Sequence, residues 1–254
     1  MRIDLNSDVG ESYGSWVMGQ DETLIPMVTS VNIACGAHAG DPTIMARTVA
    51  LASEHGVMVG AHPGYPDREG FGRRDFSLSV EQLEVSILYQ LGALQAFCRD
   101  ADVPLRHVKP HGALYSRAAR DPGVARAVAR AVRRFDPSLT LVGLAGSASL
   151  DAGRAEGLRV AAEAFADRAY EPDGSLRSRR HANAVLRDPE TAAEQAVSIV
   201  VLGKAVAHEG STVHIRADTL CIHGDTPGAA EYARAVRDAL QAAGVKVAPL
   251  HGAG

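Results

Sequence analysis

The 254-residue chain is 46% hydrophobic and 22% charged, with a formal net charge of −4 and a pI near 6.2. It can bury one large core as a single domain over residues 1–254, and it lacks the basic field that nucleic acid or anionic lipid would require. Its three cysteines, Cys35, Cys98 and Cys221, have neither close pairing nor metal-ligand spacing, and no run approaches the ~18 apolar residues of a membrane helix. With no signal-peptide core at the amino terminus, the expectation is a reduced cytoplasmic protein, off the membrane, whose partners are small molecules or other proteins.

In chain order, residues 2–6, 30–35, 57–61, 106–109, 139–144, 158–164 and 218–222 read as short buried strands, and 245–248 as an eighth strand or a terminal appendage. Helical patterns lie between them. Asp41-Pro42, Asp121-Pro122 and Asp188-Pro189 each set a capping carboxylate before a proline suited to the first helical position, and Thr226-Pro227 repeats the device. Ser79 and Gln82 form a capping box for a helix reaching about residue 100, with Val80, Leu83, Ile87, Leu91 and Leu94 as one apolar core stripe. Repeated strand–helix alternation implies a parallel sheet, and polar residues at the strand ends favour closure. Seven clear strands predict a distorted β/α barrel.

Four histidines recur in one setting, just past a strand: His38 after SVNIACGA, His62 after GVMVGA, His111 after HVKP and His223 after TLCI. A lone histidine is most often a surface or hydrogen-bonded core residue, but recurrence at strand ends would gather these at the carboxyl mouth of a barrel, where barrel enzymes keep their chemistry. Asp8, Lys109 and Asp225 occupy matching positions. His55, His107, His181, His208, His214 and His251 lack that setting and read as solvated or structural, while Cys35 and Cys221 read as small buried hydrophobes. Two long loops, 62–78 and 166–187, suit lids over an anionic ligand, with Arg73, Arg74, Arg168 and Arg179 available to clamp a phosphate or carboxylate. No GxxxxGK[ST] loop occurs; the nearest fragment, Leu202-Gly203-Lys204, falls in a helical pattern. Residues 142–147 could present backbone amides to a phosphate, although a tight strand–helix turn explains their glycines equally well.

Six blocks carry a resemblance: DLNSDVGES, VNIACGAHAGDP, GAHPGYPDREGFGRR, HVKPHGALY, EAFADRAYEPDGSL and IHGDTPGA, in order from residue 4 to residue 229. In them the chain closely resembles the LamB/YcsF family, the A-subunit family of prokaryotic ATP-dependent 5-oxoprolinases. HANAVL at 181–186 departs from it, lacking a glycine before the alanine. The resemblance implies a distorted barrel of the glycoside hydrolase/deacetylase type. It also implies opening of 5-oxo-L-proline to L-glutamate with ATP and Mg²⁺, together with B and C subunits. Asn6, Glu11, Asn32, Tyr65, Arg73, Arg74, Glu163, Arg168 and Arg179 are the candidates for substrate or phosphate binding.

Amide resonance makes a γ-lactam slow to hydrolyse, so phosphorylating its oxygen is a sensible use of ATP. Asp8, His38, His62, His223 and Asp225 then offer acids and bases, and Lys109 with His111 charge neutralisation. Asp8, His38 and His62 also resemble the Asp-His-His metal set of polysaccharide deacetylases, but their spacing matches no compact motif and the family does not require a metal, so a bound divalent ion is not the favoured reading. Two alternatives stay open: a stand-alone metal-dependent deacetylase or amidohydrolase, and a non-catalytic subunit that binds a ligand. Each of these readings is compatible with a homo-oligomer.

Overall fold

The computed structural model describes residues 1–225 and 228–250. Six parallel strands come first: β1 (Arg2–Val9), β2 (Ser30–Ala34), β3 (Met58–His62), β4 (Leu105–Val108), β5 (Thr140–Leu144) and β6 (Arg159–Phe165). A short antiparallel hairpin, β7 (Lys204–Val206) and β8 (Thr212–His214), precedes β9 (Thr219–His223). Each of β1 to β6 pairs with the next, β6 pairs with β9, and β9 returns to β1, so the seven strands close into a barrel. The last pair, β10 (Lys246–Val247), adds only to Arg2 and Ile3 of β1. It is the terminal appendage, not an eighth stave.

The barrel is enclosed by α1 (Asp21–Leu24), α2 (Pro42–Glu54), α3 (Val80–Asp100), α4 (Gly112–Ala118), α5 (Pro122–Phe135), α6 (Ala148–Ala155), α7 (Pro189–Leu202) and α8 (Ala229–Ala242). Three helices start as their sequences dictate. Asp41 accepts from the amide of Ile44, Asp121 from those of Gly123 and Val124, and Asp188 from that of Thr191, with proline following each time. Ser79 and Gln82 form the reciprocal capping box of α3. Each such cap is worth about 1 kcal/mol. Leu83, Ile87, Leu91 and Leu94 are buried, whereas Val80 is 45% exposed because the first turn of α3 faces solvent. The Thr226-Pro227 start lies outside the described residues.

Strands covered on both faces must bury every side chain, and β2 and β9 do so at all five positions. Alternation along β1 sends Leu5 to the apolar core while Asp4, Asn6 and Asp8 enter a buried polar network. The register sets Asp8 between Asn32 and His223, which places β1, β2 and β9 side by side at the same mouth. His107 of β4 packs over Gly60 of β3, where an added Cβ would lie 2.1 Å from the imidazole.

Two sequence expectations change. Lys204 is not helical: Gly203 takes a left-handed conformation (φ 67°) that ends α7, and Lys204 begins the β7–β8 hairpin. β1 runs three residues beyond the expected end, because Ser7, Asp8 and Val9 still pair with β2. Among the described residues no helix is long and apolar enough to cross a membrane.

Candidate active site

Asp8 ends the polar row of β1, and its two carboxylate oxygens do different work. Oδ1 accepts from Asn32 Nδ2 at 2.8 Å and from the Lys109 ammonium at 2.9 Å, while Oδ2 stands 3.3 Å from His62 Nε2. Burial alone would raise the Asp8 pKa, but His62 and Lys109 outweigh it and hold the carboxyl well below its ordinary range. Lys109 is 2% exposed and is bracketed by Asp8 and by Glu163 at 2.8 Å, with Cys221 Sγ 3.1 Å away. Burial would lower its pKa; the carboxylates instead push it well above normal. This ammonium is therefore a fixed charge already matched by two anions.

A layer beneath supports that ion pair. Asn6 donates to Glu163 and Thr219 and accepts from Asn32 and Lys109, and His107 Nε2 sits 2.8 Å from Asn32 Oδ1. Burial, with help from Lys109 and His62, lowers the His107 pKa to about 3, so this ring is neutral. Asn6, Asn32 and Glu163, expected from the sequence to bind substrate or phosphate, lie in this buried layer, outside the walls of the cavity above it. Tyr65 also lies outside those walls, buried at 1% exposure and stacked on Phe76.

The cavity, about 920 Å³, opens at the carboxyl ends of the strands. Its walls include Asp8, Glu11, His62, Lys109, His111, His223 and Asp225, with Arg73, Arg74, Arg168 and Arg179 among the residues of the two long loops. The seven strand-end residues singled out in the sequence thus converge, except that His38 sits just behind the wall, stacked on His111 with centroids 3.7 Å apart. The end of β5 contributes Leu144 to the same wall, and the turn after it Ala145, Gly146 and Ser147.

Two clusters share the mouth. In one, His223 is held by a residue the sequence reading missed: Asp167, fully buried after β6, places both carboxylate oxygens 3.0 Å from His223 Nδ1 and also takes the His223 amide at 3.2 Å. Burial would raise the Asp167 pKa, but His223 and Arg168 hold it low. A carboxylate only accepts, so Nδ1 carries the hydrogen and Nε2 of the neutral ring is left as a base. Phe165 stacks on this ring at 5.3 Å.

In the other cluster His62, His111, His38 and Glu11 meet. Phe71 and Gly72, with φ of 53° and 63°, turn the first loop so that the Phe71 carbonyl meets His111 Nε2 at 2.8 Å. A Cβ on Gly72 would fall 2.7 Å from the His111 ring, which reinforces glycine there. Burial pushes His38 and His111 well below their ordinary pKa, and burial with the charges of Asp8 and Asp225 pushes Glu11 well above its own.

The rim is cationic and interlocked. Arg73 of the first loop bonds Asp225 at 2.6 Å and Arg179 of the second approaches the same oxygen at 3.6 Å. Burial would raise the Asp225 pKa; Arg179 and Arg73 lower it instead. Arg168 is spent on the carbonyls of Ala184 and Arg177, ordering the second loop. Arg74 is tied to Asp67 and Glu69, which leaves Arg73 and Arg179 as the loop cations nearest the strand-end acids.

The LamB/YcsF family pattern matches residues 3–253. The A subunit of 5-oxoprolinase from Chloroflexus aggregans is 57% identical over 97% of this chain and 98% of its own length, and that from Methylococcus capsulatus is 54% identical over 98% and 96%. The crystal structure of a lactam utilization protein from Thermus thermophilus, 52% identical, superposes with a TM-score of 0.92 over 98% of this chain and 99% of that one. The match spans nearly every element that builds the mouth, and on it the chain belongs to the LamB/YcsF family.

Proposed function

We propose that this chain is the lactam-opening A subunit of an ATP-dependent 5-oxoprolinase, acting with B and C subunits on 5-oxo-L-proline. One observation carries the reading furthest: a histidine with its tautomer fixed by a buried aspartate lines a cavity that Arg73 and Arg179 also line. The arginines suit the substrate carboxylate and a phosphoryl group. His223 Nε2 suits proton transfer at the ring. Transfer of the γ-phosphoryl of ATP to the lactam oxygen releases ADP and weakens amide resonance. His223 takes a proton from water as the oxygen attacks the ring carbon, then returns it to the ring nitrogen as the C–N bond breaks. The resulting acyl phosphate yields glutamate and phosphate with a second water. Asp8, pinned by Lys109 and Asn32, supplies fixed negative charge beside the reacting carbon. Asp225 positions Arg73 and Arg179.

No phosphate-binding loop of the GxxxxGK[ST] type is present in the sequence, which supports assigning ATP use, with Mg²⁺, to the assembled enzyme. Cys35, Cys98 and Cys221 are free and buried, which supports a reducing cytoplasm as its setting. The test is reconstitution. The purified chain, given 5-oxoproline and ATP, is expected to form little glutamate alone and to gain turnover when B and C subunits are added. Full turnover by the isolated chain would refute this division of labour, and none in the assembled complex would refute the substrate.

A further inference from the structure

Each of His62 and His111 has one ring nitrogen committed to a main-chain carbonyl: His62 Nδ1 to Lys109 at 2.7 Å, and His111 Nε2 to Phe71 at 2.8 Å. A carbonyl oxygen only accepts, so both of those nitrogens carry hydrogen. In neutral rings the other two nitrogens, His62 Nε2 and His111 Nδ1, are then both lone pairs, yet they face each other at 3.0 Å. Something positive must lie between them.

A proton is the simplest candidate, since Asp8 Oδ2 stands 3.3 Å from His62 Nε2 and would balance its charge. That answer leaves the rest of the cluster unexplained. Glu11 Oε1 and both ring nitrogens of His38 are buried without any hydrogen bond. Buried polar atoms are nearly always paired, and orphans on two neighbouring residues of one cluster, Glu11 and one ring nitrogen of His38, point to a shared partner. Glu11 Oε1 is 3.5 Å from His111 Nδ1 and 3.7 Å from His38 Nε2, and one donor atom from each of the four residues lies within 4.8 Å of all the others. Ligands bound to a tetrahedral ion at about 2.0–2.1 Å stand about 3.3 Å apart. The separations of 3.0, 3.5 and 3.7 Å bracket that value.

We propose that Glu11, His38, His62 and His111 hold one divalent transition-metal ion. Three imidazoles with one carboxylate select zinc-like ions over magnesium or calcium, which prefer oxygen. His38 lies parallel to His111, at 1° between planes, so it joins as the fourth ligand by turning about its ring bond, and no hydrogen bond opposes that turn. The hydrogen bonds from His62 and His111 to main-chain carbonyls are the outer contacts that orient metal-bound imidazoles. This donor set differs from the Asp8, His38 and His62 trio of the sequence: the stretch after β4 brings in His111, oriented by the Phe71 carbonyl of the first loop, the turn after β1 brings in Glu11, and Lys109 engages Asp8. A second group, Asp8 with Cys221 and His223, is excluded because the Lys109 ammonium already bonds Asp8 Oδ1 and Cys221 Sγ. The inference does not depend on which lactam is opened.

The chelator-treated, purified full chain is titrated with Co²⁺ and followed by visible absorption, with a parallel Zn²⁺ titration followed by thermal midpoint. We expect saturation near one equivalent, ligand-field bands of a four- or five-coordinate ion, loss of those bands on adding Zn²⁺, and a raised midpoint. Glu11→Gln and His111→Gln should each weaken binding by at least the roughly 10–100-fold that losing even an outer partner costs. His181→Gln, at an exposed loop position, should bind as the parent does. Absence of any cobalt spectrum or zinc-dependent midpoint shift overturns the proposal, as does binding that survives in folded Glu11→Gln or that falls away in His181→Gln. If His111→Gln does not fold, the isosteric Glu11→Gln decides. Both readouts are independent of turnover, so a failed 5-oxoproline assay leaves this result standing.

Discussion

Replacing Asp167 by asparagine isolates the role of His223. The side chain keeps its shape and can still accept from the His223 amide, now at 3.2 Å, through its carbonyl oxygen. Its amide nitrogen, however, is a donor set against a ring nitrogen that donates, 3.0 Å from either carboxylate oxygen in the parent. With hydrogen kept on Nδ1 the ring must share the one carbonyl oxygen with the His223 amide and leave the amide nitrogen unpaired, so the ring shifts toward hydrogen on Nε2, a donor where a base faced the cavity. Loss of a positioned base lowers turnover by about 10²–10⁴-fold, or about 3–5 kcal/mol of barrier at 1.36 kcal/mol per decade. The fold loses less: exchanging a charged hydrogen bond for a neutral one costs about 1–2 kcal/mol, which at about 2–4 °C per kcal/mol is a fall of about 2–8 °C in thermal midpoint. The assay is glutamate formation by the reconstituted complex, with the midpoint measured on the same preparation. His223→Asn should give a similar loss, and the double variant little more than either single one, because the two side chains act as one unit. Near-normal turnover in folded Asp167→Asn would remove the pair from the mechanism.

Lys109→Met strands Asp8 and Glu163 as buried anions, and breaking a buried pair from one side costs about 3–5 kcal/mol, so the midpoint should fall by about 6–20 °C. Adding Glu163→Gln should restore part of that loss, and a single variant as stable as the parent would show that the ammonium is not holding the anions. Asp225→Asn removes the anion shared by Arg73 and Arg179, so the complex should show a changed KM for 5-oxoproline with the barrel still folded; an unchanged KM would mean that the rim does not meet the substrate.

The barrel was legible because its signals are local. Aspartate before proline starts a helix whatever surrounds it, and a short apolar run between such starts is a strand. Depth within the barrel was not legible. A strand advances about 3.3 Å per residue, so an error of two residues in its end moves a side chain from the mouth into the interior. Asn6 shows this: because β1 continues to Val9, Asn6 lies two positions below Asp8 and supports it from beneath. Glu163 sits four positions before Asp167, within a strand that runs to Phe165, and so belongs to the layer that holds Lys109. Applying the strand-end rule to β6 as strictly as to β3 or β9 would have found Asp167, in the run Phe165-Ala166-Asp167. The grouping of the histidines is another matter. His62 and His111 are distinguished from His223 only by which atoms their second nitrogens meet, two carbonyls for the former and a carboxylate for the latter. Those contacts are made by a loop turn at Phe71 and by the main chain of Lys109, and no side-chain spacing encodes them. A carboxylate at His223 Nδ1 turns that imidazole into a base facing a cavity, whereas carbonyls on His62 and His111 aim two lone pairs at one point. The same residue type, delivered by the same strand-end rule, is thereby split into a candidate proton-transfer group and a candidate set of metal ligands.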